Sequence, residues 1–185
     1  MENDISRELI IEAMNGDMKA FEEIYRLTSG FVYNVALRIA RRHAEAEDIT
    51  QEVFIKMYSA LPQFGFRSSC KTWLYRITTN TAISRCRKFG REHEQTAKYK
   101  DHLEIEAQQG QAASPAMANE NEKIIGDMLA RLDEDQRACL VLRDMEGLAY
   151  DEIADILNIP LNTVRSRLHR ARETLLEFAN KEATP

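Results

Sequence analysis

The feature that most restricts the fold of this chain is the spacing of its apolar residues, which recur three or four positions apart along most of the sequence. Ala20, Ile24 and Leu27 show this helical spacing in an early segment, and similar patterns fill most of the rest of the chain. No stretch of useful length alternates between apolar and polar residues, as a half-buried strand would. The sequence therefore predicts an all-α protein.

One polar stretch interrupts the helical pattern. Residues 92–122 are poor in large apolar side chains and contain Gly110 and Pro115, so we expect a flexible linker with room for a helical turn or two. A coil of this length spans roughly 30 Å. We predict two small helical domains, residues 1–91 and residues 123–185, on either side of this linker.

Charge is distributed unevenly along the chain. There are 25 Lys and Arg against 30 Asp and Glu, a net charge of −5. Residues 67–91 nevertheless hold seven bases and no acid, and residues 161–172 hold four arginines and no acid, whereas residues 123–160 hold nine acids and four bases. Clustered bases attract polyanions. The two basic segments are candidate nucleic-acid surfaces, and the acidic remainder is expected to avoid nucleic acid or to face another protein.

Several classes of function find no support in the sequence. The apolar runs are too short for a membrane span and the acidic N-terminus is unlike a signal peptide, which predicts a cytoplasmic protein. Cys70, Cys86 and Cys139 lack C-x-x-C pairing and, together with the scattered histidines, lack the spacing of a metal site. We therefore predict no catalytic residue, cofactor, metal or small-molecule substrate.

Polar residues suited to cap a helix stand before several helical patterns, at Asp17, at Ser68 or Ser69, and at Asp133. Either serine would begin a long helix over residues 70–89. A capping box would place Ser or Thr at position 149, but Ala149 stands there. The missing cap oxygen costs about 1 kcal/mol locally.

Residues 150–176 have the form of a helix-turn-helix. Ile153 lies on the inner face of the first helix, a turn ends at Pro160, and Asn162 can cap the second helix. Apolar residues then recur along one face of the second helix, at Val164, Leu168, Ala171 and Leu175. An ordinary helical hairpin with a solvated charged face is the alternative. The turn, the cap and the acid-free basic run together favour DNA binding.

A more specific resemblance is carried by five stretches, in chain order: GDMKAFEEIYRL, AEAEDITQEVFIKMYSALPQF, KTWLYRITTNTAISRCRK, LDEDQRACLVLRDMEGLAYDEIADIL and TVRSRLHRARETL. Together they resemble bacterial RNA polymerase sigma factors of the extracytoplasmic-function (ECF) subfamily. The resemblance implies a protein that binds core RNA polymerase, directs it to specific promoters and helps melt the DNA, while the polymerase performs the chemistry. It also implies an anti-sigma factor as a partner, which in this family is often membrane-anchored.

By this resemblance, residues 1–91 correspond to sigma region 2, which contacts the polymerase clamp and the −10 promoter element. On the predicted helix over residues 70–89, aromatic and apolar groups alternate with bases, as suits single-stranded DNA. A helical wheel places Tyr75, Thr79 and Ile83 on the outward side, together with Arg76 and Arg87.

The residues assigned to binding or melting the −10 element are Phe64, Arg67, Lys71, Trp73, Tyr75, Arg76, Asn80 and Arg87. Asn80 and the loop over residues 64–69 would contact an extruded base, as the resemblance implies. Trp73 can instead belong to the core, as a lone tryptophan usually does.

Residues 123–185 correspond to region 4, which contacts the −35 element and the polymerase flap. The residues assigned to the −35 element are Thr163, Arg165, Ser166, Arg167, His169 and Arg170. With the apolar stripe facing inward, Arg170 points outward, where it can reach base edges in the major groove. Arg167 and Thr163 are expected to hold phosphate. Arg172 leans back and can pair with an acid of its own domain.

The surface assigned to core polymerase is the outer side of the helix over residues 46–61, with Asp48, Gln51, Glu52 and Ile55. Ile55 is an apolar residue within a polar face. It is either a lone exposed isoleucine, which is common, or part of a partner surface, where the family has the polymerase clamp.

A plain DNA-binding regulator is the alternative function. Such a protein would use the helix-turn-helix alone, would bind duplex DNA by itself and would not require polymerase. This alternative leaves the basic and aromatic segment over residues 67–91 unexplained.

Overall fold

The computed structural model describes residues 5–99 and 120–182, and within these ranges it is helical with connecting loops and no strand, as predicted. The α-helices are α1 (Arg7–Met14), α2 (Met18–Ala40), α3 (His43–Ala60), α4 (Cys70–Tyr99), α5 (Glu120–Ala130), α6 (Glu134–Leu140), α7 (Tyr150–Leu157) and α8 (Leu161–Glu182).

Helices α1 to α4 form the N-terminal domain, in which α2, α3 and α4 each pack against the other two. The apolar side of α3 is buried as predicted, with Ile49, Val53 and Met57 fully excluded from solvent. Burial of side chains of this size stabilises the folded state by roughly 1.5–3 kcal/mol each. The opposite side of α3 consequently remains on the surface of the molecule.

The helix starts and stops of this domain follow from local side chains. The Lys19 N–H donates to Asp17 Oδ1 over 2.8 Å, so Asp17 caps α2. The Thr72 N–H donates to Ser69 Oγ over 3.0 Å, which makes Ser69 the serine that caps α4. Pro62 lies in a 3₁₀ turn directly after α3, where the proline ring prevents further α-helix.

Helix α4 is longer than the sequence predicts, because it runs to Tyr99 rather than to residue 89. Residues 92–99 contain no Gly or Pro and are rich in Glu, Gln, Ala and Lys, which favour helix. The helical turns expected in the linker therefore occur at its ends, in α4 and in α5. Residues 100–119, the middle of the predicted linker, lie outside the described residues.

Helices α5 to α8 form the C-terminal domain. The Gln136 N–H donates to Asp133 Oδ1 over 2.7 Å, as predicted for the cap of α6. A π-helical turn (Val141–Met145) extends α6, and Gly147, with a φ of +75°, ends it in the left-handed region. Before α7, the Ala149 N–H donates to the Glu152 carboxylate over 2.7 Å, so half of a capping box is present without the cap oxygen.

The turn between α7 and α8 differs in detail from the prediction. Asn158 takes a left-handed conformation, with a φ of +52°, and ends α7. Helix α8 already begins at Leu161, because the Pro160 carbonyl accepts the Thr163 N–H over 2.8 Å. The prediction that Asn162 caps α8 is therefore wrong, since Asn162 lies within the first turn and its Oδ1 accepts from Arg165 over 3.1 Å.

The two domains pack against each other, and their apolar side chains belong to one continuous core cluster. Helix α4 contacts both α6 and α7. Tyr75, Thr79 and Ile83, predicted to point outward, are 2%, 0% and 7% exposed. That prediction is wrong, because a wheel drawn for one helix does not indicate that other helices pack on more than one of its sides. Tyr75, for example, contacts both Phe31 of α2 and Glu146.

The cap of α7 gives a stability prediction. Ala149 has the extended backbone of an N-cap, and its N–H already binds Glu152. Ala149→Ser should complete the capping box and raise the free energy of unfolding by about 1 kcal/mol in urea denaturation. Ala179→Ser, at an exposed position inside α8, is the matched control and should lower that free energy slightly. An unchanged or lowered stability in Ala149→Ser would contradict this account of the cap.

Candidate nucleic-acid interface

The outward face of α8 carries the side chains predicted to contact duplex DNA. Val164, Leu168 and Ala171 are buried, which turns the opposite side of the helix toward solvent. The residues exposed on that side are Arg165, Ser166, His169 and Arg170. Arg170 makes no hydrogen bond or ion pair with any residue in the described ranges, so its guanidinium is available to an external acceptor. His169 Nε2 lies 3.3 Å from Glu173, on the exposed surface.

The other two arginines of α8 have acidic partners. Arg167 is half-buried and its Nη2 lies 2.9 Å from Asp135 Oδ2, at the start of α6. Arg172 Nη2 lies 2.9 Å from Asp144 Oδ1, which is the pairing within its own domain that the helical wheel allows. The structure thus separates the four arginines of this helix into two that are exposed, Arg165 and Arg170, and two that pair with acids, Arg167 and Arg172.

The loop before α4 is an aromatic cluster. Phe64 is buried, and its ring centroid lies 4.8 Å from that of Trp73 and 5.0 Å from that of Phe66. Trp73 is half-buried, which agrees with its alternative assignment to the core and leaves part of its ring accessible. Arg67, Lys71 and Asn80, three other residues assigned to the −10 element, are exposed.

The remaining residues assigned to the −10 element contact the C-terminal domain. The Tyr75 hydroxyl donates to Glu146 Oε2 over 2.8 Å, and Arg38 Nη1 of α2 lies 2.7 Å from the other oxygen of that carboxylate. Burial, and then the hydrogen bond to Glu146, raise the pKa of Tyr75 well above its usual range. The hydroxyl therefore stays protonated as a donor.

Two arginines of α4 also reach across the domain boundary. Arg76 Nη2 donates to the Asp155 carbonyl over 3.0 Å, and Arg87 Nη2 lies 2.7 Å from Asp135 Oδ2. Arg87 Nε lies 3.2 Å from Glu134 Oε1 as well. Arg76 and Asn80 line an open cleft of about 650 Å³ whose other wall is the end of α7 and the turn after it.

A half-buried guanidinium connects the domains from the other side. Arg137 of α6 donates to the carbonyls of Leu129 and Leu132 at the end of α5, over 2.8 and 2.6 Å. Its Nη1 donates to the Ile39 carbonyl of α2 over 2.6 Å. Burial, and then repulsion from Arg41, lower the pKa of Arg137, although an arginine remains charged. One side chain thus binds carbonyls from both domains.

The outer face of α3 is a separate surface. Ile55 is 67% exposed, and Asp48 and Gln51 are exposed beside it. Glu52 lies 2.7 Å from Lys56 Nζ and 3.1 Å from Arg85 Nε. The hydrogen bond from Lys56 and, after it, the hydrogen bond from Arg85 lower the pKa of Glu52. Asp48 also lies 3.3 Å from Arg85 Nη1, so the face consists of paired acids and bases around the apolar Ile55.

Sequence reasoning missed part of this face and all of the acidic partners. Tyr58, one turn from Ile55, is 47% exposed, and its hydroxyl contacts the sulfur of Met18, which is 58% exposed. A helical wheel of α3 places Tyr58 on the same outer side as Ile55. For the contacts of Glu134, Asp135 and Glu146, the sequence contained only one indication, which is the acidic composition of residues 123–160.

The described residues show neither a metal-ligating cluster nor a membrane-spanning helix. No group of three or more His, Cys, Asp or Glu within them is placed to hold a metal ion. No helix within them is both long and apolar enough to cross a bilayer. Burial raises the pKa of the Cys86 thiol, and raises that of Cys139 to about 11. Both thiols are therefore protonated at neutral pH.

Comparison with known proteins finds two sigma-70 regions in the same order as the two groups of helices. A model of sigma-70 region 2 matches residues 24–92, and a model of sigma-70 region 4 matches residues 122–175. The chain is 35% identical over 175 residues to RNA polymerase sigma-H factor of Pseudomonas aeruginosa, covering 91% of each. It is 33% identical over 186 residues to ECF RNA polymerase sigma-E factor of Escherichia coli, covering 95% of each.

Solved structures resemble the fold. The RpoE sigma factor of Bartonella quintana, solved with the anti-sigma factor NepR, is 27% identical, with a TM-score of 0.67 over 88% of this chain and 98% of that one. CnrH, solved with the cytosolic domain of CnrY, is 21% identical and shares the fold, with a TM-score of 0.68 over 97% of this chain and 100% of that one. Given both region matches in order and the similarity of the relatives across most of the sequence, the chain belongs to the ECF family of RNA polymerase sigma factors.

Proposed function

We propose that this chain works as an alternative sigma factor, which binds core RNA polymerase, directs it to a set of promoters and helps melt them. The observation that carries the proposal is the face of α8. Its apolar stripe is buried in a helix-turn-helix, while Arg165, His169 and Arg170 are exposed. The same chain also matches sigma-70 region 2.

The division of labour follows from the chemistry of the surfaces. An exposed arginine such as Arg170 can donate two hydrogen bonds to guanine in the major groove, worth roughly 1–3 kcal/mol of discrimination. Exposed Arg67 and Lys71 suit the phosphates of a melted strand, and the exposed part of the Trp73 ring suits contact with a base. The chain itself breaks no bond, and it acts in the cytoplasm, where core polymerase is.

Control by an anti-sigma factor is part of the proposal. RpoE of Bartonella quintana has been solved with an anti-sigma factor, and this chain shares 27% of its residues and its fold with that protein. A partner of this kind would have to cover one of the polymerase-binding or DNA-binding surfaces.

Transcription start mapping tests the function directly. Core polymerase is incubated with fragmented genomic DNA, with and without the chain, and the 5′ ends of the transcripts are sequenced. A sigma factor should produce new starts that share upstream sequences near −35 and −10. Duplex binding by the chain without any new starts would instead support a plain DNA-binding regulator.

The outer face of α3 gives a second prediction. In the proposed complex, polymerase would cover the apolar side chain of Ile55, and Ile55→Glu would bury a charge at this position. The affinity for core polymerase, measured by fluorescence titration, should therefore fall at least about tenfold. Ile11→Glu is the matched control, since Ile11 is a 42% exposed isoleucine on α1. Equal affinity of wild type and Ile55→Glu for core would remove Ile55 from the interface.

Two arginines of α8 give a third prediction. Arg170→Ala should relax promoter preference at one base pair, by about 1–3 kcal/mol, without changing thermal stability. Arg167→Ala should weaken all promoters alike and lower the free energy of unfolding by about 1 kcal/mol, because Asp135 loses a half-buried partner. Promoter competition and thermal melting measure the two effects, and the opposite pattern would exchange the two roles.

A further inference from the structure

The loop before α4 contains a residue with a strained backbone. Phe66 has a φ of +51°, in the left-handed region, which a bulky residue rarely adopts because its Cβ then crowds the neighbouring carbonyl. Glycine occupies this region without that cost, yet the glycine of this loop, Gly65, stands one position earlier and is not left-handed. The loop thus has a phenylalanine where its backbone favours glycine, which indicates a use for the ring.

The Phe66 ring contacts side chains from two different segments. The guanidinium carbon of Arg7, the first residue of α1, lies 4.6 Å from the centroid of this ring. On the loop itself, the ring centroids of Phe66 and Phe64 are 5.0 Å apart, and those of Phe64 and Trp73 are 4.8 Å apart. A row of four contacting side chains therefore joins α1 to α4 through the loop.

Arg7 is not needed to begin α1. Ser6 caps this helix, since its Oγ accepts the Leu9 N–H over 3.2 Å, and a cation in the first turn is disfavoured by the helix dipole. The Arg7 side chain is exposed and makes no hydrogen bond or ion pair with any residue in the described ranges. Within those ranges, the contact with Phe66 is the interaction that the structure gives to this guanidinium.

We propose that Arg7 is a positioning residue for promoter melting, which holds the ring of the left-handed Phe66 where it can stack on an unpaired base of the −10 element. Phe66 is half-buried, so part of its ring is accessible to a base, and Arg67 beside it is exposed to phosphate. Arg7 then acts through Phe66 and not by its own contact with DNA. This inference rests on the proposed sigma function, and it adds a residue that precedes the part matched to region 2.

The first test concerns the loop alone and needs no polymerase. Arg7→Ala should speed hydrogen–deuterium exchange at the backbone amides of residues 64–69 about two- to fivefold, the factor by which an exposed cation–π contact stabilises. Arg26→Ala is the matched control, since Arg26 is an exposed arginine that pairs with Glu23 inside α2, and it should leave this exchange unchanged. Equal exchange in wild type and Arg7→Ala would overturn the positioning role.

The second test separates the ring of Phe66 from its backbone. Holoenzyme is mixed with a promoter found by start mapping, and a fluorescent base within the −10 element reports open complexes. Phe66→Tyr should form them as wild type does, whereas Phe66→Leu should form them at least about fivefold less, because an aliphatic side chain stacks poorly on a base. Phe66→Gly suits the left-handed backbone but lacks the ring, so it should lose as much as Phe66→Leu. Wild-type melting by Phe66→Gly would show that the ring is not used.

A double-mutant cycle in the same assay distinguishes positioning from direct contact with DNA. Arg7→Ala should lower open-complex formation about two- to fivefold, and Arg7→Lys should restore most of it, because lysine can also place a cation over the ring. In the Phe66→Leu background, Arg7→Ala should have no further effect. If the two effects multiply instead, Arg7 acts independently of Phe66 and the inference is wrong.

Failure of this inference differs from failure of the proposed function. A wild-type chain that yields no promoter-specific starts would contradict the sigma function, whereas the exchange experiment would still measure the contact between Arg7 and Phe66. A wild-type chain that melts its promoters, and an Arg7→Ala variant that melts them equally well, would overturn the positioning role alone.

Discussion

The arrangement of the two domains depends on the guanidinium of Arg137. Carbonyls at helix ends lack intrahelical partners, and Arg137 donates to those of Leu129 and Leu132 at the end of α5 and to that of Ile39 near the end of α2. A single cation thus fixes the angle between α5 and α6 and also places α6 against the N-terminal domain. Without it, three carbonyls would lose a charged donor at the same time.

Asp135 links the two helices expected to bind DNA. Its Oδ2 lies within 3 Å of Arg87 on α4 and of Arg167 on α8. A carboxylate that neutralises one arginine from each helix cannot keep both partners if α4 and α6 separate. Because Arg167 belongs to the same domain as Asp135, the contact that separation would lose is the one to Arg87.

The sequence predicted what local spacing determines. The caps at Asp17 and Asp133, the buried stripe of α8 and the two sides of α3 all follow from short-range patterns and are confirmed. Contacts between distant segments were not predictable. Tyr75 looked exposed because the pattern of α4 contains no information about α6 and α7, which begin more than thirty residues beyond its last turn.

The acidic composition of residues 123–160 had two interpretations, avoidance of nucleic acid or contact with a protein. The geometry combines them, because the acids of this segment face the bases of the N-terminal domain of the same chain. A net charge of −5 alone would repel DNA over about a Debye length, roughly 8–10 Å in physiological salt. Placing the acids against Arg38 and Arg87 keeps their charge away from the exposed recognition face of α8.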